Sequence, residues 1–446
     1  MPDLYEIADK VLARAGVDEQ VEVVVAHSRD TEVRVYEGEI ESLSAAESQG
    51  IGVRVVADGR QGFASAGSLD ADVLSETLDE ARDNARFGEV DEFNGLAGPD
   101  GVAEAELDLF RPDLADAPTE RKIDLALELE RAVRAGDERI VGIETAEYAD
   151  SIAEAVIATN TGIRTAGRES TCDIVAYALA EEGDDTQTGF GYSVGRDLDD
   201  LDIDKAAADA VERATRLLGA SKPSSERLTV VLDPFVTAQF LAIVGGTLSG
   251  EAVLKGRSLF ADRLGEPVAN ELVTFVDDPT NPDAFTATEA DGEGLATRRN
   301  VLIDKGVLQG FVQNSYTGRR SGTASTGSAV RGFSGTPGAG CQAISLAPGT
   351  MSQPELLAMV GDGLLVADVA GLHSGVNPVS GDFSTGADGL RIRGGELAEP
   401  VREVTIASTI QRMLQDVAAV GSDLEWLPMS AAGVSLVVRD VTMSGA

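Results

Sequence analysis

Hydrophobic periodicity divides the first half of the chain into a helix and a set of short strands. A stripe of apolar residues predicts an amphipathic helix over about residues 3–15. Runs with strand periodicity follow at residues 21–25, 32–36, 51–56 and 61–65. Because Glu37-Gly38 and Asp58-Gly59 stand between such runs as turn signals, the pattern predicts an antiparallel meander.

The rest of the first half adds helices to this sheet. Apolar stripes predict helices over about residues 71–86, 119–135 and 205–218, and two more strand runs lie between the last two of them. Together with the meander, these elements predict an α+β arrangement built on an antiparallel sheet.

The second half is dominated by short strands and tight turns. It begins with an apolar strand over residues 228–232, and Asp233 and Pro234 then supply an N-cap and a first-turn proline. A helix is therefore predicted from this point to about Val244. Short strands with tight turns are predicted at residues 301–308 and 390–397, and further helices near 353–361 and 406–414.

A change of composition near Lys222 predicts a domain boundary, and the fold class is α+β. Residues 1–226 are expected to form an N-terminal α+β domain, and residues 227–446 a C-terminal, mostly β domain that is barrel-like or sandwich-like. The Gly/Ser/Thr-rich stretch from Ser321 to Gly340 is either flexible surface or a substrate lid.

Composition and charge exclude several classes of protein. The 446 residues include 76 acidic and 36 basic side chains, giving a formal net charge of -40, and 43% of the chain is hydrophobic. This hydrophobic fraction excludes a disordered acidic tail, and the charge would repel the phosphates of nucleic acid. Because acid-rich, lysine-poor surfaces suit high salt, a halophilic source is a hypothesis. Most of the negative charge lies in residues 1–226, whose net charge is -31, and residues 227–446 have a net charge of only -9.

The same composition bears on location. The chain has no run of about 18 apolar residues, and its start lacks the basic and then apolar pattern of a signal peptide. We therefore expect a soluble cytoplasmic protein without a membrane partner.

Residues with metal-binding or nucleophilic chemistry are scarce. The only histidines are His27 and His373, and the two cysteines, Cys172 and Cys341, are far apart and form no Cys-x-x-Cys pair. Neither a disulfide framework nor a set of metal ligands with the usual spacing is predicted. The paired acids Asp277-Asp278 follow an apolar strand and favour a turn or cap over a divalent ion site.

One serine has the spacing of a nucleophile elbow. Gly191, Ser193 and Gly195 match the Gly-x-Ser-x-Gly pattern, and His373 and Asp382 lie downstream. However, the pattern lacks the apolar strand before the serine and the helix directly after it that an elbow requires. An independent hydrolase that uses Ser193 and His373 is for this reason only the alternative hypothesis.

Segments spread over nearly the whole chain resemble the TldD/PmbA family, whose two branches are TldD and TldE, the latter also called PmbA. The N-terminal half matches at residues 29–43, 50–55 and 60–65. The C-terminal half matches more strongly, at residues 249–258, 272–278, 291–294, 298–303, 377–383, 400–405 and 420–424. So many segments in the right order exclude a chance match.

The chain departs from the catalytic branch at one motif. TldD chains resemble zinc peptidases with a His-Glu-x-x-x-His helix shortly before a Gly-x-Ser motif and a cysteine near the C-terminus. Counted back without gaps from residues 256–258, the histidines are replaced by Leu241 and Gly246, and the glutamate by Ala242. Residues 426–433 contain no cysteine. The resemblance therefore implies the TldE branch, with no metal in this chain and zinc in a TldD partner.

The resemblance also implies an assembly. A TldD and a TldE subunit are expected to form a heterodimer around a cleft in which unfolded peptide is cleaved, this chain being a non-catalytic subunit. Candidates for lining the cleft lie in the family-like turns: Gly256, Arg257, Ser258, Asp291, Gly294, Asn377 and Asp382. A homodimeric peptide-binding or scaffold protein is a further alternative.

Overall fold

The computed structural model describes residues 3–445, and its strands form one large sheet in each half of the chain. The strands are β1 (Gln20–Tyr36), β2 (Glu39–Ala57), β3 (Arg60–Ala66), β4 (Ile140–Thr159), β5 (Arg164–Glu182), β6 (Asp185–Gly195), β7 (Glu226–Leu232), β8 (Phe275–Asp277), β9 (Asn300–Asp304), β10 (Val307–Leu308), β11 (Ala329–Val330), β12 (Gly338–Ala339), β13 (Ile344–Leu346), β14 (Gly363–Ala370), β15 (Asp382–Arg393), β16 (Glu396–Thr409), β17 (Val417–Val420), β18 (Glu425–Trp426), β19 (Ala432–Gly433) and β20 (Leu436–Ser444). The α-helices are α1 (Leu4–Leu12), α2 (Ala71–Phe87), α3 (Pro112–Ala115), α4 (Thr119–Gly136), α5 (Ile203–Thr215), α6 (Pro234–Thr247), α7 (Gly250–Leu254), α8 (Ser315–Ser321), α9 (Gln353–Val360), α10 (Leu372–Gly375) and α11 (Ile410–Gln415). Over the described part of the chain, no helix is long and apolar enough to cross a membrane.

The N-terminal sheet has the order β3-β2-β1-β4-β5-β6, and all its neighbouring strands are antiparallel. This confirms the α+β class and the meander. Both predicted turns are present, since Glu37 and Gly38 have φ of 53° and 80°, and Asp58 and Gly59 have φ of 51° and 71°. Two successive residues with positive φ match the twist of a tight antiparallel hairpin.

The strands of this sheet are much longer than the hydrophobic pattern indicates. The separate strands predicted at 21–25 and 32–36 are one strand, β1, and the prediction of only two strands after α4 is wrong because β4, β5 and β6 are all present. Polar residues in the middle of β1 are paired across the sheet. The hydroxyl of Ser151, for example, donates to Asp30 at 2.6 Å.

Four helices cover one face of the sheet. Val23, Val25 and Val33 of β1 point to the same face because side chains alternate along a strand, and this face packs against α1, α2, α4 and α5. Helix α5 approaches β6 so closely that a Cβ atom added at Gly191 would lie 1.9 Å from the carbonyl oxygen of Ala206. The opposite face of β1 and β2 meets the C-terminal half.

The outer part of β2, residues 39–49, is a free edge of this sheet. All eleven residues are exposed, including the apolar side chains of Ile40 and Leu43. Within residues 3–445 this segment pairs with β1 alone, because β3 begins its pairing with β2 at Ile51. The segment therefore presents unpaired backbone N–H and C=O groups.

The C-terminal sheet closes into a five-stranded barrel. Its order is β16-β15-β14-β7-β20, and β16 pairs back to β20, while β17 is attached to the outer side of β20. The barrel-like alternative of the prediction is thus confirmed. Helix α6 packs into the same core as the inward-facing residues of the barrel strands, such as Val230, Leu232, Leu364, Val366 and Val438.

Two local predictions for this half need correction. The helix predicted over 406–414 begins only at Ile410, because residues 406–409 complete strand β16 and pair with β15, and residues 406 and 407 also pair with β20. The Ser321–Gly340 segment is anchored rather than free. Its Ser328 is fully buried, and the ring of Phe333 packs over Gly50 of β2.

Candidate functional site

Helix α6 carries the three positions at which the resemblance leads us to expect the replaced zinc motif. The predicted cap is present, since Oδ1 of Asp233 accepts the backbone N–H of Phe235 at 3.2 Å and Pro234 is the first helical residue. The helix contains no charged residue, and its Val236, Phe240 and Val244 are buried. It is therefore held mainly by apolar packing.

The three replaced positions do not lie together. Leu241 is completely buried in the barrel core, whereas Ala242 and Gly246 line a cavity on another side of the helix. The physical reason is the helical repeat of about 100° per residue, which brings residues four apart onto one face but leaves residues five apart about 140° off.

The cavity beside α6 has a volume of about 510 Å³ and lies between α6, α7 and the segment 372–379. Its apolar lining comes from Ala242, Ile243, Ala252, Leu372, Val376, Pro378 and Val379. Its charged or titratable lining comes from Glu251, Lys255, Arg257 and His373. The cavity thus combines apolar walls with a few polar side chains, which is typical of small-ligand sites.

The Gly256-Arg257-Ser258 turn forms one wall of this cavity. Gly256 has a φ of 64°, which glycine adopts without strain, and ends α7. The backbone N–H of Arg257 donates to the carbonyl of Ala252 at 2.8 Å, and the hydroxyl of Ser258 donates to the carbonyl of Thr247 at 2.6 Å. Of these three candidates, only Arg257 lines the cavity, and the other two position it.

The turn after Val376 forms the opposite wall. Oδ1 of Asn377 accepts the backbone N–H groups of Val379 at 2.9 Å and Ser380 at 3.2 Å, which fixes Val379 against the cavity. Asp382 accepts the hydroxyl of Ser380 at 2.7 Å and belongs to the same turn without lining the cavity. Both residues therefore shape the wall.

Asp291 and Gly294 lie elsewhere, where the C-terminal half contacts the N-terminal sheet. The carboxylate of Asp291 accepts the backbone N–H groups of Glu293, Leu295 and Ala329 at 2.9 to 3.0 Å. These hydrogen bonds lower the pKa of Asp291, but burial raises it more strongly and the nearby negative charge of Glu293 raises it further, so the pKa is about 7. A Cβ atom at Gly294 would lie 2.6 Å from Ile163, so this glycine permits the contact between the halves.

A buried ionic cluster at this contact was missed by the sequence analysis. Glu22 of β1 and Arg54 of β2 are joined there by Arg331, which binds Glu22, and by Glu293, which lies 3.5 Å from Arg54. The sequence did contain a sign of this cluster, because Glu22 is the single acid in the apolar run of β1 and Arg54 the single base in the apolar run of β2. A buried charge of this kind needs a partner.

Ser193 lies within strand β6 rather than at a turn between a strand and a helix. Its hydroxyl accepts the backbone N–H of Asp202 at 2.9 Å, and among residues 3–445 no hydrogen bond joins it to His373. A Cβ atom at Gly195 would lie 2.4 Å from Asp200, so close packing explains the glycines of this motif.

The side chains present do not fit a zinc ion. Leucine, alanine and glycine offer no ligand atom at the positions of the motif. Within the described residues, no three His, Cys, Asp or Glu side chains come together in an arrangement that could hold a metal. Burial raises the pKa of both cysteine thiols, Cys172 and Cys341, well above the usual value, which disfavours the thiolate that a metal requires.

Three family models match successive parts of the chain. They describe the PmbA/TldA metallopeptidase domain 1 over residues 21–85, its central domain over 112–218 and its C-terminal domain over 225–445. The chain belongs to the PmbA/TldD metallopeptidase family. Among curated relatives, the metalloprotease PmbA of Escherichia coli O157:H7 is 27% identical to this PmbA/TldD chain over 414 residues. The matched region covers 92% of this chain and 89% of the relative.

Solved structures of similar chains have the same architecture as this PmbA/TldD protein. A Thermotoga maritima protein, described as a candidate modulator of a DNA gyrase, is 25% identical and superposes with a TM-score of 0.91 over 99% of this chain and 100% of that one. TldE from Thermococcus kodakarensis is 24% identical, with a TM-score of 0.88 over 99% and 98% of the two chains. The latter likeness is one of fold.

Proposed function

We propose that this chain is a TldE-type, non-catalytic subunit of a TldD/TldE metalloprotease that acts on unfolded peptides. The observation that carries the proposal is the replacement of the zinc motif on α6. Leu241 belongs to the core, while Ala242 and Gly246 face a cavity without offering it a ligand atom or a proton-transfer group.

The zinc ion and the general base would then come from a TldD-type partner. The role of this chain is to wall the peptide chamber and to bind the substrate. The less charged C-terminal half, with a net charge of -9 over residues 227–446, is the part that we assign to contacts with the partner and with part of the peptide.

The free edge of β2, residues 39–49, supports a role in peptide binding. An extended peptide that adds to such an edge gains main-chain hydrogen bonds that do not depend on its sequence. Unfolded peptides of many sequences could bind in this way. The edge carries Glu39, Glu41 and Glu47 and no basic residue, so it favours neutral or basic peptides.

The proposal is tested with the purified full-length chain, alone and mixed with a TldD-type chain. We expect the chain alone to contain no stoichiometric zinc and to cleave no unfolded peptide, and the mixture to form a one-to-one complex that cleaves it. Zinc together with peptidase activity in the isolated chain would overturn the proposal. A stable homodimer that ignores the TldD-type chain would favour the scaffold alternative.

A further inference from the structure

The cavity beside α6 has mostly apolar lining residues and a few charged or titratable ones. Ala242, Ile243, Leu372, Val376 and Val379 give it apolar walls, and its volume of about 510 Å³ falls in the range of small-ligand sites. Gly246 keeps part of it open, since a Cβ atom added there would meet no atom within 4 Å. The space accommodates an apolar group of the size of an amino-acid side chain.

One guanidinium that lines this cavity has no ion-pair partner among residues 3–445. Arg257 is exposed and lines the cavity, and within residues 3–445 its side chain forms no ion pair. Its neighbour Lys255, by contrast, is already paired with Glu251. His373, also exposed, lines the same cavity from α10.

The charge of the whole chain makes this site distinctive for anions. A net charge of -40 repels an anionic ligand from most of the surface. The guanidinium of Arg257 offers a local positive charge, and its planar fork matches the two oxygens of a carboxylate. The cavity therefore suits a ligand in which a carboxylate is attached directly to an apolar group.

We propose that this cavity binds the C-terminal residue of a peptide, with its apolar side chain against Ala242 and Val379 and its α-carboxylate paired with Arg257. The inference rests on the proposed peptide-binding role and adds a substrate class, namely peptides with a free C-terminus and an apolar last residue. The cavity then fixes one end of an extended peptide, while a partner subunit cleaves elsewhere along it.

The test compares two fluorescent peptides that are identical except at the C-terminus, both ending in leucine, one with a free carboxylate and one amidated. Binding to the full-length chain is measured by fluorescence anisotropy at constant salt. Because Arg257 is exposed and its ion pair is screened by water, we expect amidation to weaken binding by roughly 2-fold to 5-fold. If the unmutated chain bound the two peptides with equal affinity, the proposal would be overturned.

Two variants locate the carboxylate site. Arg257→Gln should bind the two peptides equally, at the level of the amidated one. The matched control is Arg439→Gln, since Arg439 is likewise exposed and forms no ion pair within residues 3–445 but does not line the cavity. A preference that persists in Arg257→Gln, or that vanishes in Arg439→Gln as well, would contradict the assignment.

Two further arms separate the occupant from other ligands. Gly246→Leu should fill the cavity and weaken both peptides, since the added side chain has open space to enter. Octanoate, which also joins a carboxylate to an apolar chain, should displace the peptide only weakly. If octanoate displaced the labelled peptide at a concentration similar to that of the unlabelled free-carboxylate peptide, the cavity would be a fatty-acid site instead. A zinc-free, TldD-binding chain that shows no C-terminal preference would refute this inference and leave the proposed function intact.

Discussion

Glu22 and Arg54 form a bidentate ion pair in the interior of the protein. Nη2 of Arg54 lies 2.6 Å from Oε2 of Glu22, Nε lies 3.0 Å from Oε1, and the two side chains are 0% and 3% exposed. Burial opposes the charge on Glu22, but Arg54 and Arg331 outweigh it and hold the pKa of this carboxyl below its usual value. Because Arg331 comes from the C-terminal half, the pair helps to join the two halves.

Removing the charge of Glu22 should destabilise the protein strongly. In Glu22→Gln, the guanidinium groups of Arg54 and Arg331 stay buried without their carboxylate, a situation that typically costs about 3–5 kcal/mol. Urea unfolding measures the loss. The control Glu39→Gln, an exposed residue of β2, should change the free energy of unfolding by less than about 0.5 kcal/mol. Similar losses in both variants would show that the carboxylate of Glu22 stabilises the protein no more than an exposed carboxylate does.

Asp277 should make stability depend on pH. Burial raises the pKa of its carboxyl to about 6, although Oδ1 accepts the backbone N–H groups of Gln342 and Ala343, and Oδ2 accepts no hydrogen bond within residues 3–445. Because the folded pKa lies above the unfolded one, the contribution of Asp277 to stability is greatest below about pH 4 and is lost as pH rises to about 6, a change of up to about 3 kcal/mol.

Asp277→Asn tests this dependence. The variant keeps an oxygen for the two backbone donors but cannot ionise, so its stability relative to the wild type should improve by about 1 kcal/mol between about pH 5 and about pH 8. Urea unfolding at the two pH values gives the difference. The exposed Asp283 provides the control Asp283→Asn, whose difference from the wild type should stay constant. A constant difference for Asp277→Asn would refute the prediction.

Gly52 should be essential for the contact between β2 and the Ser321–Gly340 segment. A Cβ atom there would lie 2.0 Å from the backbone carbonyl oxygen of Phe333, which cannot move without displacing the chain. Gly52→Ala should therefore cost about 1–3 kcal/mol and speed amide hydrogen exchange over residues 331–335. Gly67→Ala, with no atom within 4 Å of the added Cβ, serves as the control. Unchanged exchange in Gly52→Ala would mean that the segment docks in another way.

Salt should stabilise this protein, as the halophilic hypothesis requires. Raising KCl from about 0.1 M to about 1 M shortens the Debye length from about 10 Å to about 3 Å and weakens the repulsion among exposed carboxylates. We expect the thermal unfolding midpoint to rise over this range. Full stability at low ionic strength would exclude the hypothesis.

The sequence by itself determined the features that depend on local chemistry. The α+β class, the hairpin turn at Glu37-Gly38 and the start of α6 at Asp233 follow from periodicity, positive φ and capping, which involve neighbouring residues only. The expectation that Leu241 and Gly246 stand in place of zinc ligands rests on residue identity and needs no coordinates.

Only the tertiary structure decided which residues meet. It placed Leu241 in the barrel core and Ala242 and Gly246 at a cavity, and it brought Arg257 and His373, more than a hundred residues apart, to that cavity. It placed Asp291 at the contact between the halves rather than at that cavity, and it paired Glu22 with Arg331. Such contacts depend on how distant segments pack, and the hydrophobic pattern records which positions are buried but not against what.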